Sequence, residues 1–187
     1  MGDYMKIKVG VSNRHVHLKQ KDLDILFGKD LTVKSNLTQP GQFACNETVT
    51  IKTNKSEINN VRVLGPVRNY TQIEISKTDA YKLGINPPVR TSGDLNDSEI
   101  VTLIGPKGSI ETNGCIIADR HIHITYEDKK KYNIPDKINI KINGTKKGII
   151  EVSVKPSDVA FFELHLDTDD ANAFLIKNGD EVEMLDV

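Results

Sequence analysis

The chain has 187 residues, and its 25 lysines and arginines nearly balance 26 aspartates and glutamates, giving a net charge of −1 at pH 7. That balance gives no electrostatic reason to expect nucleic acid or an anionic membrane as a partner. No apolar run approaches the roughly 20 residues of a membrane span, and the N-terminal MGDYMKIKVGVS lacks the apolar core of a signal peptide. Two cysteines cannot form a disulfide framework, so we expect a soluble protein of the reducing cytoplasm.

Short β-branched runs separated by Gly, Asn and Pro dominate the chain and predict strands: VTIKT, INNVRVLG, EIVTLIG, GSIETNGCIIA, KINIKING, KGIIEVSV and EVEML. Four stretches predict short helices: KQKDLDILFG, KTDAYKLGI, YEDKKKYNI and TDDANAFLIKNG. We expect three of them to end at Gly28, Gly84 and Gly179. PGQFACNETV and NPPVRTSGDLNDS are predicted loops. This pattern favours a mainly β fold of small closed barrels, and no glycine-rich nucleotide motif is present.

Two pairs of segments repeat along the chain. VSNRHVHL (11–18) resembles IADRHIHI (117–124), and QIEISKTDA (72–80) resembles ELHLDTDDA (163–171). Superposing the second pair places Glu74 on His165. The chain is therefore interpreted as two copies of one ancestral half, each with a His-x-His and one further residue that can bind a metal.

All five histidines of the chain lie in these repeated segments. Residues two apart on a strand face the same side, so each His-x-His presents two imidazoles that can bind one divalent metal. Three protein ligands with one open position are typical of catalytic zinc, and zinc is the first candidate. The alternative is that the histidines decorate a surface and that Glu74 is an exposed edge carboxylate. The two predicted ligand groups are His15, His17 and Glu74, and His121, His123 and His165.

Other polar residues permit more than one interpretation. Arg14 and Arg120 precede the histidines and face the other way, so pairing with carboxylates is predicted for both. Arg68, in the turn GPVRNYTQIE, is either an oxyanion-binding fork or a surface salt bridge. Cys45 follows a turn and is a candidate nucleophile, but a buried inert thiol is favoured because no histidine lies near it in sequence. Cys115 is expected in the core.

Five segments together resemble the PduL-type phosphate propanoyltransferases, the phosphotransacylases of bacterial microcompartments: VSNRHVHL, QPGQFACNETV, VLGPVRNYTQIEIS, GCIIADRHIHI and ELHLDTDDANAF. They cover nearly the whole chain in order. The resemblance implies two six-stranded β-barrels, related by internal duplication and capped by short α-helices. It also implies that the N-terminal strand joins the C-terminal half, so that 1–13 with 119–187 form one domain and 14–118 the other.

The same resemblance assigns roles to single residues. A two-zinc active site would lie between the barrels, with one ligand group for each ion and the group of His15, His17 and Glu74 nearest the chemistry. Arg68 would hold phosphate and serve catalysis. Coenzyme A would contact six residues: Val11, Ser12, Asn13, Lys55, Arg62 and Asn172.

We therefore predict reversible acyl transfer, in which propanoyl-CoA or acetyl-CoA and phosphate give an acyl phosphate and CoA. The two acyl groups differ by one methylene, worth only about 1–3 kcal/mol of discrimination, so the sequence favours neither. The ligand groups also permit a binuclear zinc hydrolase. The non-enzymatic alternative is a metal-binding component of a microcompartment.

Small molecules are the expected partners, and homo-oligomers and association with a microcompartment are left open. Family members often carry an amphipathic N-terminal extension that targets them into the compartment. Here the first strand, KIKVGVS, begins within a few residues of Met1. A cytoplasmic location is therefore expected, with the microcompartment lumen as the alternative.

Overall fold

Fourteen strands and four helices make up the part of the chain that the computed structural model describes, residues 5–185. The strands are β1 (Lys6–Ser12), β2 (His15–His17), β3 (Val33–Asn36), β4 (Phe43–Lys52), β5 (Glu57–Gly65), β6 (Gln72–Glu74), β7 (Val89–Arg90), β8 (Glu99–Ile104), β9 (Ser109–Ala118), β10 (His121–Thr125), β11 (Lys137–Ile142), β12 (Gly148–Ser157), β13 (Glu163–Asp167) and β14 (Glu181–Met184). The helices are α1 (Gln20–Leu26), α2 (Lys77–Leu83), α3 (Tyr126–Lys131) and α4 (Thr168–Phe174).

The described residues divide into two compact units, 5–12 with 119–185 and 13–118. Each unit contains a closed six-stranded β-barrel, which confirms the predicted fold class. Asn13 lies in the second unit, whereas the predicted boundary placed it with the N-terminal segment.

The barrel of the first unit closes through β1. This strand pairs in parallel with β13 and antiparallel with β14. β13 also pairs antiparallel with β10, and β10 pairs in parallel with β12. β11 then pairs antiparallel with both β12 and β14, which closes the ring. The N-terminal strand therefore completes a ring whose other members all follow residue 120.

The barrel of the second unit repeats this pattern of pairing. β2 pairs in parallel with β5 and antiparallel with β6, and β6 pairs in parallel with β9. β8 pairs antiparallel with β9 and with β4, and β4 with β5, which closes the ring. The short strands β3 and β7 extend the sheet from β4 and β9.

The two rings correspond strand by strand. β2, β5 and β6 in one match β10, β12 and β13 in the other, and β9 matches β1, with the same parallel and antiparallel pairings at each step. The register corresponds as well, because His15 lies opposite Glu74 and His121 lies opposite His165. The superposition of Glu74 on His165, made from sequence alone, is confirmed by this register.

Alternation along the strands separates an apolar core from a polar face. Val16, between the two histidines of β2, is fully buried in the core of its barrel, and Ile122 holds the same place in β10. Successive residues of a strand point to opposite faces, so the histidines on either side face away from that core. The core thus fixes the strands and leaves each His-x-His on the outer face of its own barrel.

Three of the four helices begin at a side-chain cap. Ser76, Thr125 and Asp167 each accept a hydrogen bond from the backbone N–H three residues on, which satisfies one of the free donors at the start of α2, α3 and α4. Gly84 ends α2 in the left-handed conformation, with φ of 73°, as predicted. None of the helices among residues 5–185 is long and apolar enough to cross a membrane.

Two local predictions are wrong. Helix α4 ends at Leu175, which itself adopts the left-handed conformation with φ of 54°, and not at Gly179. Gly179 instead donates its backbone N–H to the Val9 carbonyl at 2.7 Å, in the turn before β14. The predicted loop PGQFACNETV is largely strand, because β4 begins at Phe43 and pairs with both β3 and β5.

Candidate active site

The first predicted ligand group is assembled in the second unit. β2 carries His15 and His17, and the antiparallel neighbour β6 places Glu74 directly opposite His15. The three side chains each bring one potential ligand atom to a cluster in which all such atoms lie within 4.8 Å of one another. This is close enough for a single ion to contact all three.

Hydrogen bonding orients His15 toward this cluster. Its Nδ1 lies 2.9 Å from the carbonyl oxygen of Asn13, and because a carbonyl can only accept, Nδ1 carries the proton. Nε2, 3.4 Å from a carboxylate oxygen of Glu74, is then the nitrogen available for a metal. Burial opposes charging of His15, but the Glu74 carboxylate outweighs it and raises the pKa of the imidazole. A backbone acceptor on the outer ring nitrogen is the usual arrangement of a metal-binding histidine.

His17 is held as a neutral imidazole. Burial, together with the charges of His15 and Arg68, lowers its pKa to about 2. The Leu64 backbone contacts the ring and works against this shift. A neutral, buried imidazole presents a free nitrogen lone pair and therefore suits a metal ligand.

The second predicted group is assembled in the first unit by the same strands of the repeat. His121 and His123 lie on β10, and β13 places His165 opposite His121. Their ligand atoms also lie within 4.8 Å of one another, and the three rings are half-buried. The Nδ1–H of His121 donates to the Asp119 carbonyl at 2.7 Å, which matches the contact of His15 with Asn13. Nε2 of His121 therefore faces Nε2 of His123, 3.1 Å away.

Both groups fit a divalent transition metal. Imidazole and carboxylate donors suit zinc and its neighbours in the first transition row, and the orienting carbonyls are repeated in both copies. The interpretation of the histidines as surface decoration does not account for two clusters built by matching registers. The donor sets are two histidines with a glutamate, and three histidines.

Arg68 lies beside the first group. Its backbone N–H donates to the Leu18 carbonyl at 2.8 Å, which ties the turn after β5 to the residue that follows His17. Its positive charge is near enough to help lower the pKa of His17 and to oppose, without reversing, the rise in the pKa of His15. Within residues 5–185 no carboxylate lies within 4.0 Å of its guanidinium, so the surface salt bridge considered from sequence is absent there.

A hydrogen-bonded network that the sequence did not predict joins Arg68 to Glu74. Ser92 Oγ lies 3.4 Å from Arg68 Nη1 and accepts from the Gln72 side chain at 2.9 Å. The same Gln72 amide donates to Glu74 at 2.5 Å and accepts from the Gly93 N–H at 2.8 Å. The only sequence signal for it was the predicted loop NPPVRTSGDLNDS, which carries Ser92. This network sets the positions of the guanidinium and the carboxylate relative to each other.

The residues predicted to contact CoA are distributed over both units. In the second unit, Asn13 adjoins His15, and exposed Arg62 lies opposite His15 in the register of β2 with β5. Lys55 lies in the turn between β4 and β5, where its ammonium donates to the Tyr81 carbonyl at 3.1 Å. In the first unit, Val11 and Ser12 lie on β1, against which α4 with the exposed Asn172 packs.

The remaining expectations concern arginines and thiols, and the structure agrees with them. Arg14 pairs with Asp79 at 2.7 Å and Arg120 with Asp170 at 3.6 Å, at matching positions of the repeat. Cys45 is buried, and burial together with Glu47 raises the pKa of its thiol to about 11, so it is not an activated nucleophile. Cys115 is fully buried in the core.

Comparison with known proteins identifies the family. The family model for phosphate propanoyltransferase matches residues 8–177. A phosphate propanoyltransferase of Thermotoga maritima is 49% identical over 183 residues, which cover 94% of this chain and 87% of that protein. A phosphate propanoyltransferase of Priestia megaterium is 49% identical over 180 residues, which cover 93% of this chain and 83% of that protein. One of Rhodopseudomonas palustris is 42% identical over 186 residues, which cover 96% of this chain and 82% of that protein. The chain therefore belongs to the phosphate propanoyltransferase family and is an acyltransferase of the phosphotransacylase type.

Proposed function

We propose that this protein interconverts acyl-CoA and phosphate with acyl phosphate and CoA, using a metal held by His15, His17 and Glu74 beside Arg68. The observation that carries the proposal is the guanidinium of Arg68, which adjoins the ligand group and has no carboxylate partner within 4.0 Å in residues 5–185. An unneutralised arginine next to a metal group is suited to an anionic substrate. Phosphate is the anion that the family's reaction requires.

Arg68 is held in a way that suits phosphate binding. Its backbone is anchored to Leu18. Within residues 5–185 its side chain forms long hydrogen bonds with two hydroxyls, Ser92 at 3.4 Å and Tyr70 at 3.5 Å, and lies over the Tyr70 ring. Such contacts orient the planar fork and leave most of its five N–H donors available. A phosphate on this fork would be fixed in position and orientation for attack on the thioester carbonyl.

The phosphate would attack directly, without a covalent intermediate on the protein. Phosphate is already an anion at neutral pH, so it needs to be positioned and not deprotonated by a strong base. The candidate nucleophile Cys45 is buried, and the pKa of its thiol is raised to about 11, which opposes a route through that thiol. Positioning by Arg68 and stabilisation of developing charge would supply most of the rate enhancement.

Zinc is the proposed metal, with two ions per chain, one for each ligand group. When bound, it supplies a Lewis acid that stabilises negative charge on the thioester oxygen or on the departing sulfur. His15 and His17 would bind it as neutral imidazoles, with the Asn13 carbonyl orienting the first ring. Glu74 would add the negative charge of the group, in an orientation fixed by the Gln72 amide.

Asn13 and Arg62 are proposed to contact CoA in the second unit. Arg62 is exposed and lies opposite His15 in the register, so its cation is available to the phosphates of the cofactor. Lys55 is a weaker candidate, because its ammonium already donates to the Tyr81 carbonyl. Val11, Ser12 and Asn172 stay predictions.

Release of CoA from acyl-CoA, followed with a thiol reagent on purified protein with and without phosphate, tests the proposal. We expect release that depends on phosphate and is lost after metal removal. Release at the same rate without phosphate would identify the binuclear hydrolase instead. Absence of release under both conditions, with metal bound, would favour the non-catalytic alternative.

A further inference from the structure

The outer face of the first unit carries a buried carboxylate, Glu163, that belongs to no predicted group. Glu163 lies on β13 two residues before His165, so both side chains project from the same face of the strand. Its side chain is nearly inaccessible, with 6% of the residue exposed, and one carboxylate oxygen lies 2.8 Å from Nε2 of His165. It lies opposite His123 in the pairing of β13 with β10. Glu163 is therefore in direct contact with the second ligand group.

A buried carboxylate requires compensation. Removing a charge from water costs several kcal/mol unless a partner of opposite charge or several hydrogen bonds replace the lost hydration. Lys8 lies opposite Glu163 in the pairing of β1 with β13, but its side chain is exposed, and no ion pair joins the two within 4.0 Å in the described residues. A divalent cation among the three adjacent histidines would supply positive charge beside this carboxylate.

The corresponding position of the other unit supports this interpretation. Gln72 lies two residues before Glu74 and opposite His17, as Glu163 lies two residues before His165 and opposite His123. Gln72 contacts the ligand that follows it, Glu74, at 2.5 Å, just as Glu163 contacts His165. The two copies thus exchange the place of the carboxylate. In one unit the carboxylate of Glu74 completes the ligand group beside the amide of Gln72, and in the other the carboxylate of Glu163 lies beside His165, which completes the group.

The backbone next to Glu163 is adapted to this contact. Gly10 on β1 lies opposite His165, and a Cβ added there would fall 2.9 Å from the Glu163 carboxyl carbon and 3.0 Å from Cδ2 of His165. The first distance is shorter than real Cβ atoms show, and the second is tight. A side chain at Gly10 would therefore shift the Glu163 carboxyl group against His165.

We propose that Glu163 is a positioning residue of the metal centre formed by His121, His123 and His165. Its carboxylate would accept from the Nε2–H of His165, which orients the ring and leaves the lone pair on Nδ1, and it would bring negative charge to that centre, as Glu74 does to the other. This inference rests on the proposed function, because it assumes that each ligand group holds a metal. The contact of a carboxylate with a metal-binding histidine typically changes metal affinity by about 10–100-fold.

Competition titration of zinc against a chromophoric chelator tests the proposal with a readout independent of activity. For the metal-free wild-type protein refilled with Zn²⁺ we expect two binding steps. In Glu163→Gln, which keeps the size of the side chain, one step should weaken about 10–100-fold and the other should not change. Glu163→Asp, which keeps a carboxylate on a shorter side chain, should lose less zinc affinity than Glu163→Gln. The matched control is Glu151→Gln, which removes an exposed carboxylate of the same unit that pairs with Lys137.

The outcomes separate this inference from the proposed function. Two unchanged steps in Glu163→Gln, beside two steps in the wild type, would overturn the role of Glu163 alone. Absence of zinc binding by the wild type would overturn both proposals. If Glu163→Gln does not fold, Gly10→Ala serves instead, since it shifts the Glu163 carboxyl group against His165 without removing either group. Gly10→Ala should weaken the same single zinc-binding step. Two steps of wild-type affinity in that variant would also contradict the proposal.

Discussion

Replacing Arg68 by alanine should weaken the use of phosphate far more than the use of acyl-CoA. The guanidinium makes two long contacts with hydroxyls and no ion pair within 4.0 Å among residues 5–185, so its loss leaves no carboxylate unpaired. A charge-assisted contact with phosphate lost from a partly buried site is worth roughly 2–5 kcal/mol. At 1.36 kcal/mol per factor of ten, the rate at fixed phosphate should fall by between about 30-fold and about 5,000-fold.

The assay varies phosphate at saturating acyl-CoA for the wild type, Arg68→Ala and Arg68→Lys. Lysine should restore only part of the lost rate, because an ammonium cannot reproduce the two parallel donors of the fork. Arg90→Ala is the control, since Arg90 lies in the same unit, is half-buried like Arg68, and is already paired with Asp94 and Asp97. Normal dependence on phosphate in both Arg68 variants would refute the assignment, and with it the argument that the site accepts phosphate and not water.

Three further predictions follow from the two ligand groups and their supports. Glu74→Ala should reduce turnover at least about 100-fold and leave the circular dichroism spectrum normal, because the carboxylate contributes to metal binding more than to folding. A variant with full metal content and normal turnover would show that Glu74 is not part of the site. Protein purified without chelator should contain two zinc ions per chain by elemental analysis, and one or none would contradict the doubled ligand group. Arg14→Ala should lower the free energy of unfolding, measured with urea, by about 1–3 kcal/mol, because it leaves the buried Asp79 carboxylate without its partner. Arg120→Ala should lower it by less than about 1 kcal/mol, because its partner Asp170 is 3.6 Å away and more exposed. Equal losses in the two variants would mean that burial of the partner does not decide the effect.

The repeat made the ligand groups predictable from sequence. A match of QIEISKTDA with ELHLDTDDA places Glu74 on His165, and the structure gives both residues the same register against the first histidine of the pair. Register in a sheet follows from which face each residue must bury, so a repeated apolar pattern carries a repeated ligand geometry. The pairing of Arg14 and Arg120 with acidic residues follows from the same duplication.

Contacts between segments distant in sequence were not predictable in this way. Ser92 reaches Arg68 and Gln72 from a loop about twenty residues away, and no local pattern marks that approach. Glu163 was overlooked because its counterpart in the other copy is Gln72, a residue of different charge. Helix α4 ends at Leu175 and not at a glycine, while Gly179 donates to the Val9 carbonyl of a strand about 170 residues away in sequence, a contact that no local pattern marks.

The ³¹P NMR spectrum of a reaction of the purified, zinc-loaded protein with propanoyl-CoA and phosphate tests the central claim most directly. The account predicts an acyl phosphate signal that grows in step with free CoA, one molecule for each, and that fails to appear after the metal is removed. CoA released without acyl phosphate would show that water accepts the acyl group. Acyl phosphate formed at the full rate by metal-free protein would contradict the proposed role of the histidine groups.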